Sequence, residues 1–214
     1  MTAALLALSA LSAFVYGGPL LYAPPGPTRA LVKTAAVAAL AGAAWSAGAP
    51  ALLVLAFLLS SLGDWFLAGD GEPRFLAGLV SFLAAHLTLI ALFWSFGMPL
   101  EAALRTPWRL AAALAGVGLG LAMLAWLWPS LGPMRGPVVV YTAAIVAMVL
   151  SALLLDAQAL AIAGAFTFAV SDSCLAAGKF RLRGGPLAER ALPAAVWWLY
   201  WIAQAMIFAA FARG

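Results

Sequence analysis

The stretch PALLVLAFLLSSLGDWFLAG, residues 50–69, decides the fold class. Its only ionisable side chain is Asp64. As a helix, roughly twenty apolar residues cross about 30 Å of hydrocarbon. The stretch lacks the period-two alternation of a barrel strand, and a helix satisfies its own backbone polar groups in lipid. Seven further apolar runs of comparable length follow the same pattern, at 3–21, 30–47, 75–96, 108–128, 136–155, 158–177 and 193–212. The 214-residue chain is 66% hydrophobic and only 8% charged, against roughly a quarter charged in soluble domains. The expected fold is therefore all-α: a polytopic membrane bundle of eight transmembrane helices, with residues 1–214 forming a single transmembrane domain. The connections are short, so any chemistry belongs inside the bundle or at its mouths.

The formal net charge is +4. In a soluble protein this would suggest a nucleic-acid partner. Here the basic residues fall in loops, where they orient the helices and meet lipid headgroups, and no nucleic acid is expected. Eight spans put both termini on one side. The opposite loops carry Arg29, Lys33, Arg74, Arg135, Lys179, Arg181, Arg183 and Arg190, while the terminal side carries Arg105, Arg109 and Arg213. This asymmetry predicts a multi-pass cell-membrane protein with cytoplasmic basic loops and extracytoplasmic termini. No Lys or Arg precedes the first run and Arg29 follows it, so a retained helix is expected rather than a signal peptide. The single cysteine, Cys174, is expected to be a packed thiol.

The same topology assigns a depth to each polar side chain. Asp64, Asp172, Lys33, Tyr141, His86, Tyr200 and Gln204 fall between the basic-loop end and the middle of six different runs. Such convergence predicts one polar cavity open toward the basic-loop side. Val32-Lys33-Thr34-Ala35-Ala36-Val37 also aligns with Val140-Tyr141-Thr142-Ala143-Ala144-Ile145 at an offset of 108 residues, which also separates Asp64 from Asp172. The match suggests two parallel four-helix repeats, 1–107 and 108–214, that bring the aspartates toward each other.

An aspartate within hydrocarbon costs at least about 2.5–3.5 kcal/mol on insertion scales, so it is normally paired or functional. Asp64 and Asp172 are the candidate catalytic residues, with Ser60 and Ser61 within hydrogen-bonding reach of Asp64; the alternative for Asp64 is a cap at a helix end. Two carboxylates in one low-dielectric site do not both ionise readily, which leaves an acid and a carboxylate for acid–base hydrolysis. His86, the only histidine, is a candidate for catalysis or substrate orientation. Lys33, Tyr141, Tyr200 and Gln204 are candidate substrate-binding residues, and Lys179, in the cluster Lys179-Phe180-Arg181-Leu182-Arg183, is a candidate for a lipid phosphate. Trp197, Trp201 and Gln204 share a helical face suited to packing. Asp70, Glu72, Asp156 and Glu189 read as loop residues. One histidine and no cysteine pair do not make a zinc site, and no metal or cofactor is expected. Gly-x-Ser-x-Gly, His-Glu-x-x-His and Walker motifs do not occur. No lysine lies deep enough in a late run for a retinal protein, and the aspartate contexts do not fit an intramembrane aspartyl protease.

Four segments carry a family resemblance: Ser61-Leu62-Gly63-Asp64, Gly78 through Leu87 around His86, Phe168 through Ala176 around Asp172, and Tyr200-Trp201-Ile202-Ala203-Gln204. In this order and spacing, with Lys33 and Tyr141, the chain resembles the YhhN-like lysoplasmalogenase family of integral membrane proteins. Leu89 departs from it, standing where the resemblance implies a tyrosine. The resemblance implies hydrolysis of the vinyl ether bond of lysoplasmenylethanolamine or lysoplasmenylcholine, giving a fatty aldehyde and a glycerophospho-alcohol, with lysophospholipid and membrane lipids as partners. It also implies that one aspartate is the acid and the other the carboxylate. A proton-coupled transporter of lipids or small molecules and a non-catalytic lipid-binding protein are the competing expectations.

Overall fold

The computed structural model describes residues 1–156 and 158–212; Arg213, counted above among the terminal-side charges, lies outside them. The eight apolar runs become eight long helices whose ends lie within about three residues of the expected limits. These are α1 (Thr2–Val15, continued by a π-helical turn Tyr16–Leu20), α2 (Pro27–Ser46), α3 (Ala51–Leu67) and α4 (Glu72–Ser95), followed by α6 (Pro107–Leu127), α7 (Arg135–Ala152), α8 (Ala159–Phe180) and α9 (Leu192–Phe211). A short helix, α5 (Leu100–Leu104), was not expected.

Proline marks the starts. Pro27, Pro73, Pro107 and Pro193 occupy first-turn positions of their helices, where the missing N–H is not needed. Gly48 takes φ +70 just after α2, and Ala49 N–H returns to the Ala44 carbonyl at 3.0 Å. This is the left-handed helix ending that glycine favours.

Six helices, α1, α4, α6, α7, α8 and α9 with their flanking turns, are long and apolar enough to cross a membrane. The other two long helices, α2 and α3, fall outside that set. Helix α3 has 17 residues, about 25 Å at 1.5 Å per residue. Helix α2 is rich in alanine and carries Arg29 and Lys33 in its first two turns.

Helices α1 to α4 pack in sequence, as do α6 to α9. The two sets join by exchange: α4 lies on α7, and α9 lies on α2 and α3. The core between them holds Leu40, Phe57, Leu89, Met148, Phe168, Trp197 and Ile207. Leu89 is fully buried there. Small residues let backbones approach, as expected for helices in lipid. A Cβ on Gly164 of α8 would stand 3.0 Å from the Ala203 carbonyl oxygen of α9. Helix α6 packs on α7 and α8 and is otherwise largely exposed.

At the end of the bundle away from the basic loops, Arg109 is buried and donates to the carbonyls of Leu153 and Leu155. It also pairs with exposed Asp156 at 3.8 Å. It was expected as an orienting loop charge. Instead its guanidinium donates to carbonyls left open where α7 ends.

Candidate active site

Asp64 sits one turn before the end of α3 and is 1% exposed. Its Oδ1 lies 3.3 Å from the Lys33 Nζ of α2, and the Tyr200 hydroxyl of α9 donates to its Oδ2 at 2.7 Å. A buried carboxylate needs such partners, because an unpaired one costs several kcal/mol. The expected bonds from Ser60 and Ser61 do not form. Ser61 turns back to the Leu58 carbonyl and the Ser60 hydroxyl has no partner. The carboxylate points away from its own helix, toward the cation on α2.

Asp172 lies on α8 with different company. The Tyr141 hydroxyl of α7 donates to its Oδ2 at 2.9 Å. His86 of α4, fully buried, presents Nε2 to the same oxygen at 3.6 Å. The other ring nitrogen, Nδ1, is 2.6 Å from the Phe82 carbonyl. A carbonyl only accepts, so Nδ1 carries the hydrogen of that bond and Nε2 is left facing Oδ2. At 3.6 Å this contact is longer than a hydrogen bond, and among the described residues Nε2 has no hydrogen-bond partner. Among the described residues Asp172 has no lysine or arginine in ion-pair contact.

Both aspartates line one cavity of about 350 Å³. Its wall also includes Lys33, Tyr200 and Lys179. It opens at the basic-loop end, past Leu21, Asp70, Gly71 and Ala188. Of the seven polar residues expected around one cavity, four line it: Lys33, Asp64, Asp172 and Tyr200. Lys179 stands at its mouth, over the Phe75 ring at 4.5 Å. The rest of that basic cluster turns elsewhere: Arg181 donates to Ser130 and Arg183 to the Lys179 carbonyl. Tyr141 reaches the cavity only through Asp172, and His86 and Gln204 lie behind its wall. Gln204 is fully buried, and among the described residues neither of its side-chain polar atoms has a hydrogen-bond partner.

Cys174, expected to be packed away, is half-buried and lines the cavity, because α8 presents two successive turns to it. Trp197 and Trp201 do pack, donating to the Ala13 carbonyl and the Ser9 hydroxyl of α1.

Sequence reasoning missed two supports. Arg29 lines the mouth and donates to the carbonyls of Leu20 and Ala68 and to the Tyr16 hydroxyl. It ties α1, α2 and α3 around the entrance, and its bare sequence position looked like one more orienting charge. Phe82 and Phe168 form an aromatic floor, with ring centroids 5.6 and 5.4 Å from Tyr200. The four-residue step from Phe82 to His86 was the one available signal, since it puts both on one helix face.

Comparisons with known proteins identify the family. The YhhN family model matches residues 28–211. Two curated relatives named lysoplasmalogenase, from Mycobacterium bovis and Mycobacterium tuberculosis, are each 39% identical over 167 residues. The match covers 76% of this chain and 60% of each relative, so the chain spans under two thirds of the length of the curated relatives it matches. No solved structure matches.

Proposed function

The chain belongs to the YhhN family, and on that premise we propose that it is a membrane-embedded hydrolase of the vinyl ether bond of lysoplasmalogens. Lysoplasmenylethanolamine and lysoplasmenylcholine are the substrate class. The observation that carries this reading is a pair of buried aspartates on one cavity with unlike partners.

A vinyl ether is cleaved by protonating carbon. In this reading Asp172 is the acid, because among the described residues no lysine or arginine pairs with it to hold its carboxylate charged. The proton goes to the double-bond carbon remote from oxygen, leaving an oxocarbenium ion. Asp64, kept anionic by Lys33 and Tyr200, stabilises that cation. It then accepts a proton from the water whose oxygen bonds to the cationic carbon. The hemiacetal collapses when its hydroxyl proton returns to Asp172 and its bond to the glycerol oxygen breaks. That oxygen takes the proton held by Asp64, and the fatty aldehyde leaves. One water is consumed and both carboxyl groups are reset. Lys179 at the mouth is the group for the substrate phosphate. His86 positions Asp172 from behind the wall.

The same reading has all eight long helices within the membrane, the basic loops cytoplasmic and both termini outside. It treats residues 1–107 and 108–214 as parallel repeats. The partners of the two aspartates support this. Lys33 meets Asp64 and Tyr141 meets Asp172, each partner from the second long helix of the same half. Tyr200 meets Asp64 and His86 meets Asp172, each from the last long helix of the opposite half.

The test is release of aldehyde from a 1-alkenyl lysophospholipid by the purified protein, with Asp64→Asn and Asp172→Asn alongside. Wild type should release aldehyde, and each variant should lose about 10²–10⁴ in kcat. No release by wild type ends the reading for this substrate. Full activity in both variants ends the two-carboxylate mechanism. Proton-dependent uptake into liposomes without hydrolysis identifies a carrier instead.

A further inference from the structure

A second, smaller cavity of about 70 Å³ lies between α4, α6, α7 and α8. It shares Asp172, Phe75 and Leu175 with the large cavity, so the two meet at the carboxyl group. Their walls differ. The large cavity carries the lysines and both carboxyl groups. Away from Asp172 and Tyr141, the small one is lined mainly by apolar side chains, among them Ile145, Val146, Val149 and Phe166. From Tyr141 to Val149 it runs down two turns of α7, about 12 Å at 1.5 Å per residue.

Its outer wall is α6, the helix least covered by the rest of the protein. Glycine there sets the width. A Cβ on Gly120 would stand 2.5 Å from Val146 Cγ2, and one on Gly116 3.1 Å from Val149 Cγ1. The backbone of α6 therefore rests directly on α7 along the groove.

A single-chain phospholipid has one polar end, one apolar end and its reactive bond between them. The two cavities have the same order, with Asp172 at the junction. We propose that the groove between α6, α7 and α8 holds the proximal part of the substrate's hydrocarbon chain, while the phosphate headgroup occupies the large cavity. The cavity is small, so the groove grips only the first carbons of the chain. The remainder passes the edge of α6 into the bilayer. This threading holds the vinyl carbons against Asp172, and Val146 sets how much chain the groove accepts. The inference rests on the hydrolase reading above.

Two measurements in lipid nanodiscs test it. The first is the ratio of kcat/KM for long-chain over short-chain alkenyl lysophospholipids. Val146→Phe should lower this ratio by about ten-fold or more, the effect of a mismatch in a hydrophobic pocket, and Val146→Ala should raise it. The second needs no catalysis: a saturated-ether lysophospholipid with a diazirine near the start of its chain is photocrosslinked to the wild-type protein. Label is expected on α6, α7 and α8, at positions such as Met123 and Phe166. Label confined to Tyr16 and the first turns of α9, or ratios unchanged in both variants, overturns the groove. Crosslinks in the groove without any aldehyde release keep it and remove the hydrolase reading.

Discussion

Lys33 and Tyr200 hold Asp64 from two different helices, and each contact carries a separate consequence. The Tyr200 hydroxyl donates to a charged oxygen, an interaction worth about 1.5–3 kcal/mol. Tyr200→Phe is therefore expected to lower kcat/KM by about 10- to 100-fold, measured by aldehyde release. Lys33 acts through charge. Lys33→Met leaves a buried anion unpaired and should destabilise the protein by about 3–5 kcal/mol. The double variant Lys33→Met/Asp64→Asn should recover most of that loss in thermal unfolding, because no charge is then left stranded. Additive losses would mean that Lys33 stabilises the bundle through something other than this pair.

Helices here meet at specific small residues. A Cβ on Gly63 of α3 would stand 2.6 Å from the Phe82 ring of α4. Phe82 cannot give way freely, because its ring packs on Tyr200 and Phe168 and its carbonyl holds His86. Gly63→Ala is expected to cost about 1–3 kcal/mol as overpacking and to lower activity as well. Gly118 of α6 meets nothing within 4 Å, so Gly118→Ala should stay within about 1 kcal/mol of wild type. Comparing the two unfolding midpoints checks this; equal losses would mean that α6 is packed as tightly at Gly118 as α3 is at Gly63. Arg109 is the counterpart at the far end. Arg109→Met strips the buried carbonyls of Leu153 and Leu155 of their donor, and should cost about 1–3 kcal/mol for each carbonyl left open.

For the whole molecule, the proposed orientation is the statement most open to a direct measurement. With Cys174 replaced by serine, a cysteine introduced at Arg183 should react with a membrane-impermeant thiol reagent only from the cytoplasmic face. One introduced at Arg105 should react only from the other face. The reverse pattern overturns the orientation, and labelling of both from one side overturns the eight-span arrangement. That arrangement also accounts for the apolar side chains that α3 leaves exposed, Leu55, Leu58, Leu62 and Trp65, by turning them to lipid. Helices α2 and α3 bury their other faces against each other and against α1, α4 and α9.

The amino-acid sequence by itself determined the all-helical architecture, the limits of the eight long helices and the depth of the polar residues. These follow from local properties: run length, apolar content and distance from a loop. Asp64 and Asp172 stood out because a carboxyl group in an apolar run is conspicuous on its own. Only the tertiary structure decided which groups touch. Lys33 and Tyr200 went to Asp64, and Tyr141 and His86 went to Asp172. It placed Arg29 and Arg109 on open carbonyls rather than in loops, and left Ser60 and Gln204 without partners. Such pairings depend on how α4 and α9 cross to the opposite half, and helix crossing is set by ridges, grooves and small residues spread over many turns. The opening stretch announced a membrane helix with one carboxyl group; the packing of the other helices gave that group its cation.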